Sequence, residues 1–353
     1  MLKQVELFEQ VNGGRIKCIA CARYCQLSPN QIGFCGMRQN IDGKLFLLTY
    51  GTVLASHIDP IEKKPVTHYR PGTRIFSIGT SGCNFMCRYC INFEMSQRKE
   101  VSGVEVEPRE LVMLALKQNC HGMAYTYNEP TIFIEFARDV GIEARRRGLF
   151  NIFVSNGFGT PDSVKVMGEF LDCITVDFKG NGDRSFARKY IGIPEVKPIF
   201  ETLLEIKHKT QIHIEITDLV VPEVGDDLNQ ARSLARWIYD HLGPDTPIHF
   251  LRFFPSYKMM DFPETPIETL ERHWKVAKDE GLNYVYVGNV PGHKLEHSYC
   301  PACNRIVVER FGTDITGWHL TKNNCCEYCE ARIAIEGGLS ESFQEERFLP
   351  AHF

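Results

Sequence analysis

The sequence predicts an α/β protein: a partial TIM-type (β/α)6-like barrel with an N-terminal four-cysteine module in front and a C-terminal zinc ribbon behind. Two observations carry this. From residue 73 to about 290, apolar runs of strand length alternate with amphipathic helical patterns, which implies parallel strands joined by right-handed crossovers. The 14 cysteines fall mostly in Cys-x-x-Cys-like groups before, at the start of and after that alternation. In a chain of 353 residues this grouping reads as metal ligands in a reducing compartment rather than as disulfides. The expected boundaries are 1–70, 71–294 and 295–353.

The front piece carries Cys18, Cys21, Cys25 and Cys35, spaced Cys-x2-Cys-x3-Cys-x9-Cys. Four thiols on short loops can close a tetrahedral zinc site or hold an accessory iron–sulfur cluster. The spacing does not choose between them, and the expectation leans to zinc. Residues 45–50 and 53–55, joined at Gly51, read as a short hairpin. Residues 59–65 read as a polar connection; Lys63 and Lys64 could face a bound anion there, but a solvated loop is the expectation.

Strands are expected at 75–78, 123–126, 152–154, 173–176, 212–221, 248–253 and 284–287. Helices are expected near 108–118, 130–147, 161–170, 197–209, 227–241 and 264–280. In barrels of this kind the chemistry sits at the C-terminal strand ends. The first such end leads into Cys83-Asn84-Phe85-Met86-Cys87-Arg88-Tyr89-Cys90. Three thiols at gaps of three and two can converge on an iron–sulfur cluster, and the absent fourth cysteine leaves one iron open for chemistry. A redox pair or zinc knuckle at Cys87 and Cys90 is the bland alternative, and neither needs Cys83.

Later strand ends supply the other candidates. Thr126-Tyr127-Asn128-Glu129-Pro130 reads as helix initiation with Asn128 as cap, which leaves an acid aimed into the barrel mouth. Ser155-Asn156-Gly157 is a turn signal. Asp177 and Lys179 share a face of an extended segment, either as an ion pair or facing a cofactor together. His213, Glu215 and Thr217 alternate in a way that suits either cavity contacts to substrate or SAM or one solvent-exposed side. Arg252 and Tyr257 are plausible anchors, although Tyr257 can equally pack, and Gly288-Asn289 is a turn that lets a backbone approach a ligand.

In the tail, Cys300-x2-Cys303 and Cys326-x2-Cys329 form two knuckles, a strong zinc-ribbon signal, with Cys325 as the less well-spaced alternative to Cys326. Cys120 and Cys173 sit in apolar surroundings and read as core. A formal net charge of −4 argues against a general nucleic-acid footprint. No run is long enough to cross a bilayer and no secretory signal is evident, so a cytoplasmic location with no membrane partner is expected.

The triad motif resembles the signature of radical S-adenosylmethionine (SAM) enzymes. Glu129-Pro130 resembles their Gly-Gly-Glu-Pro element, with Tyr127 and Asn128 in place of the glycines. Asp177-Phe178-Lys179 resembles the Asp-x-Lys element of glycyl-radical activases such as pyruvate formate-lyase activase. Together with Gly288-Asn289-Val290-Pro291-Gly292 and the terminal ribbon, these stretches look like the AmmeMemoRadiSam-system radical SAM enzymes over nearly the whole chain. The resemblance implies a [4Fe–4S] cluster on Cys83, Cys87 and Cys90, reductive SAM cleavage to a 5′-deoxyadenosyl radical, and Glu129 as ligand of the SAM ammonium. It implies cofactor-binding roles for Tyr89, Asn128, Ser155, Asn156, Asp177, Lys179, Arg252 and Tyr257. It also implies a low-potential electron donor of ferredoxin or flavodoxin type, and AMMECR- and Memo-type proteins as partners. An activase and a non-catalytic iron–sulfur and zinc scaffold are the competing readings.

Overall fold

The computed structural model describes residues 2–341 and 349–350; the rest of the expected 295–353 unit lies outside the described residues. Seven parallel strands are built where the apolar runs predict them: β2 (Arg74–Gly79), β3 (Gly122–Tyr125), β4 (Phe150–Ser155), β5 (Cys173–Lys179), β6 (His213–Val220), β7 (Ile248–Arg252) and β8 (Val285–Gly288). An antiparallel strand, β1 (Ala55–Pro60), pairs with β2 on one side and with Leu349–Pro350 on the other. Strand order follows chain order from β1 to β8. Every crossover therefore moves in one direction, which curls the sheet into an open barrel with its helices outside. Among the described residues the sheet is not closed, and its seven parallel strands are those the apolar runs mark.

Six helices cover it: α1 (Pro108–Lys117), α2 (Ile134–Arg146), α3 (Pro161–Phe170), α4 (Lys197–Lys209), α5 (Leu228–His241) and α6 (Ile267–Asp279). Their starts are set locally. Glu107 and Glu110 form a capping box before α1, Thr160 and Ser163 do so before α3, and the Asp227 carboxylate accepts from Asn229 and Gln230 at α5. In α2, Ile134, Phe136, Ala137, Val140 and Ala144 recur at helical spacing and are buried. A side chain at Gly141 would meet the Phe170 ring at 2.3 Å, so its absence lets α2 lie close against α3.

Two local expectations fail. Residues 45–47 do not pair with 53–55. Arg38–Ile41 turns back onto Lys44–Leu47, while Thr52–Val53 pairs with Val104–Glu105 far along the chain. Residues 59–65 are not a solvated connection. Asp59, next to last in β1, has its side chain fully buried, and Lys63, which stays exposed, and Lys64, which is buried, donate to it at 2.8 and 2.6 Å. Two acidic–basic contacts made across a tight turn thus carry Lys64 into the interior.

The front module lies over the start of α2. There the buried Arg38 guanidinium makes a two-pronged pair with Glu135 and donates to the Ile132 carbonyl at 2.8 Å. The tail builds Ser298–Tyr299, Ile306–Phe311 and Asp314–Trp318 into an antiparallel sheet. It docks at the N-terminal ends of the parallel strands, where His68 bridges the Ala334 carbonyl and the Tyr286 hydroxyl. Among the described residues no helix is long and apolar enough to cross a membrane.

Candidate active site and metal centres

The C-terminal strand ends open onto a cavity of about 560 Å³. Cys83, Cys87 and Cys90 line it, on the loop that leaves β2. Opposite them stand Glu129 after β3, Ser155 and Asn156 at the end of β4, Asp177 and Lys179 on β5, Thr217 on β6, Arg252 on β7 and Asn289 after β8. Tyr89 and Asn128 also reach it. Of the residues expected to bind cofactor, Tyr257 alone is absent from this wall. It stacks on Phe93 with ring centroids 4.5 Å apart, the packing alternative.

Glu129 is 2 % exposed. Its Oε1 accepts from Thr131 N, Thr131 Oγ1 and Ser155 Oγ at 3.0, 2.6 and 2.8 Å, and Oε2 accepts from Asn156 N at 2.7 Å. Burial pushes this carboxyl up, and the four donors pull part of the way back. Glu129, not Asn128, caps the turn that begins at Pro130. Asn128 instead ties down the cysteine loop, its Oδ1 accepting from Thr80 N and its Nδ2 donating to the Gly82 carbonyl. Tyr127 has φ +70, the left-handed region that favours glycine. It is held there by Asn92 on its carbonyl and by Asp59 and His57 at its hydroxyl.

Asp177 and Lys179 form the ion pair, at 3.3 Å, and both line the cavity. Burial disfavours the Lys179 charge, but Asp177 and the nearby Cys87 thiol raise its pKa overall. The Asp177 carboxylate also accepts from Thr217. Arg252 keeps a wall position while pairing with Glu264 at 2.9 Å.

The alternation on β6 serves two ends of the barrel. Thr217 faces the cavity, but His213 and Glu215 do not. The Glu215 carboxylate, fully buried, accepts from the backbone of Thr67 and His68 and from His213 and His249. A strand long enough to run the whole barrel carries its in-facing positions from floor to mouth, so period two does not say which end a residue serves.

The three cysteine groups differ in geometry. In the tail, Cys300 and Cys329 sulfurs lie 3.6 Å apart and Cys303 and Cys326 sulfurs 3.7 Å apart. A tetrahedral thiolate site with bonds near 2.3 Å has edges of about 3.8 Å, so these four fit one ion. Among the described residues, this is the one group of three or more Cys, His, Asp or Glu whose donor atoms all lie within 4.8 Å of each other. Cys325 stands outside it, as expected from spacing. The triad and the front four are both wider. Cys120 and Cys173 are buried core residues.

Lys63 and Lys64, weighed as anion contacts but expected to be solvated, both line the cavity; sequence reasoning missed Asn92 and Phe254 on its wall, and Asn84, which accepts from Asn156. None lies in a pattern with chemistry of its own.

Three comparisons show what this chain is similar to. The family model described as the Radical SAM superfamily matches residues 77–235. An uncharacterized protein of Methanocaldococcus jannaschii is 39% identical over 337 residues, covering 95% of this chain and 99% of that one. Among solved structures, a domain of pyruvate-formate lyase-activating enzyme from Bacteroides vulgatus is 15% identical, covering 48% of this chain and 99% of that one, with a TM-score of 0.41. A radical SAM methyltransferase from Sphaerobacter thermophilus is 11% identical, covering 62% and 66%, with a TM-score of 0.47.

Proposed function

This chain belongs to one family with the Methanocaldococcus jannaschii protein and carries a radical SAM domain, and from that premise we propose that it cleaves SAM to generate a radical in the cavity at its strand ends. The observation that supports this most is the composition of the cavity wall. Three thiols stand on one side without a fourth, and a buried carboxylate with a free lone pair stands on the other. When bound, a [4Fe–4S] cluster and SAM supply the 5′-deoxyadenosyl radical that takes a hydrogen atom from substrate. Cys83, Cys87 and Cys90 would hold the cluster. Glu129 would meet the SAM ammonium through Oε2, with Ser155 and Asn156 orienting that carboxylate. Asp177 and Lys179 present a paired charge to the polar edge of the same ligand. Tyr89 and Phe253 close the apolar side and exclude water.

The residues fit the group. Cys83, Cys87 and Cys90 line one cavity wall with no fourth cysteine on it, the donor set that would hold three irons of a cubane and leave one open. Full-length resemblance of the motifs supports assignment to the AmmeMemoRadiSam system, with AMMECR- and Memo-type partners and a ferredoxin- or flavodoxin-type donor. The tail quartet would hold structural zinc.

The test is an anaerobic assay: reconstituted, reduced protein given SAM should release methionine and 5′-deoxyadenosine, and Cys83→Ala should abolish both. Wild-type protein that carries the cluster and releases neither product would leave the non-catalytic scaffold as the better reading. One observation favours activation of a protein partner. Ile91 and Phe254 at the cavity rim are 77% and 42% exposed, an apolar lip suited to a polypeptide. An activase would transfer its radical to a backbone glycine, leaving an EPR signal on the partner.

A further inference from the structure

The cavity at the strand ends reaches deeper than the residues that would hold the cluster and SAM. Lys63, Lys64 and Pro65 line it together with the cysteine triad. They follow β1, which runs antiparallel to β2, and Asp59 of β1 stands opposite Ile75, the second residue of β2. The cysteine loop leaves β2 past Gly79, at the other end of that strand. Four residues of strand, about 13 Å, therefore separate the level of Asp59 from the level at which the loop begins.

Charge is spread unevenly along this wall. Among the described residues it carries four basic side chains, Lys63, Lys64, Lys179 and Arg252, and two acidic ones, Glu129 and Asp177. Lys179 is matched by Asp177, Arg252 by Glu264, and Glu129 is the acid assigned to the SAM ammonium. Lys63 and Lys64 both donate to Asp59, whose side chain is fully buried behind the wall. Two ammonium groups thus share one carboxylate. That carboxylate also accepts from Ser77 and from the Tyr127 hydroxyl, at 3.0 and 3.2 Å.

Lys64 is the more firmly held of the two. Its side chain is 6% exposed, and its Nζ lies 4.9 Å from the centre of the Tyr127 ring, which also lines the cavity. Burial lowers its pKa, and Asp59 offsets only part of that loss. A second anion beside such an ammonium stabilises its charged form. Lys63 stands next to it on a long flexible stem and stays in reach of water. Paired ammonium groups are point charges, suited to a small oxyanion rather than to a planar fork.

We propose that the substrate is a small molecule bearing a carboxylate or phosphate, and that this group seats on Lys64 and Lys63 at the deep end of the cavity. The word substrate rests on the radical reading proposed above, whereas the seat stands on the wall's own residues. No bond forms or breaks at the seat. Its role is to fix one end of the molecule so that the other end faces the triad.

Full-length protein with its cluster reconstituted is titrated calorimetrically with inorganic phosphate and with malonate, each with and without SAM. Wild type is expected to bind at least one of them, and the tighter names the group. Lys64→Met should weaken that binding roughly tenfold or more, the loss of one charge-assisted contact, with SAM affinity unchanged. Asp59→Asn/Lys64→Met removes both charges of the buried pair, and should show the same loss if the single variant fails to fold. Wild type that binds neither anion overturns the proposal, and so do equal affinities in wild type and variant. A Lys64→Met protein whose SAM affinity falls in step also overturns it, because the seat would then belong to the SAM carboxylate. Anion binding that depends on Lys64, in protein that releases no 5′-deoxyadenosine, removes the radical reading and leaves the seat standing.

Discussion

Glu129 holds three donors on Oε1 and one on Oε2, which leaves an acceptor site on Oε2 toward the cavity. The same carboxylate therefore caps a turn and can still take an ammonium. Glu129→Gln puts an N–H where one of these donors now points and removes the charge. SAM affinity should fall roughly ten- to a hundred-fold, matching about 1.5–3 kcal/mol for a charge-assisted contact, with cluster absorption retained. Calorimetric titration of reconstituted variant measures it, and unchanged affinity would reduce Glu129 to its capping role. The place of Glu129 on the cavity wall was legible because it follows a strand end, and its motif resembles an element known to meet SAM; an acid before proline alone would have read as a cap. Lys64 and Asn84 were not. A lysine in a polar run reads as solvated unless its buried partner Asp59 is known to face it, and Asn84 acquires meaning only from Asn156, which donates to it from the end of another strand.

The seven parallel strands and six helices were legible because a sheet covered on both faces writes continuous apolar runs, and its helices write one apolar stripe each. The front hairpin was not, because Thr52–Val53 takes its partner from Val104–Glu105, and no local pattern encodes a partner that distant. Attachment of that module to α2 rests on the Arg38–Glu135 pair, whose side chains are 2% and 4% exposed. Arg38→Met strands the Glu135 charge in the interior and should cost about 3–5 kcal/mol, while Arg38→Met/Glu135→Leu should recover most of it. Denaturant midpoints of the two variants decide this, and equal losses would mean that packing rather than charge holds the joint. The tail is expected to depend on a bound metal in the same way, since its thiols cluster at ion spacing around a small core. Treating reconstituted protein with a zinc chelator should expose the tail to proteolysis while iron and sulfide content stay constant. A tail that remains resistant after zinc is removed would show that its apolar core suffices.

At the scale of the molecule, chemistry and assembly occupy opposite ends of one sheet. Cys83, Glu129 and Lys179 stand at the C-terminal ends, and the tail is fastened at the N-terminal ends through Glu215 and its neighbours. Burial alone would raise the Glu215 pKa, but His213 and His249 hold it well below the usual carboxylate range. Burial would likewise lower His213, yet Glu215 and the tail's Glu336 push it up to about 9. A histidine whose folded pKa lies above its unfolded value of about 6.5 contributes its full stabilisation below that pH and loses it as pH rises through about 9. The stability difference between wild type and His213→Asn should therefore be flat below pH 6.5 and shrink by on the order of 2–3 kcal/mol by pH 9.5. Using the difference cancels the other buried groups that titrate in both proteins. Urea midpoints across that range are the measurement, and a difference constant with pH would mean that His213 is neutral in the fold. Because this network is a barrel's length from the cysteine triad, SAM cleavage per folded molecule should not follow the same titration. If it does, the floor of the barrel communicates with its mouth, and the tail is more than a structural cover.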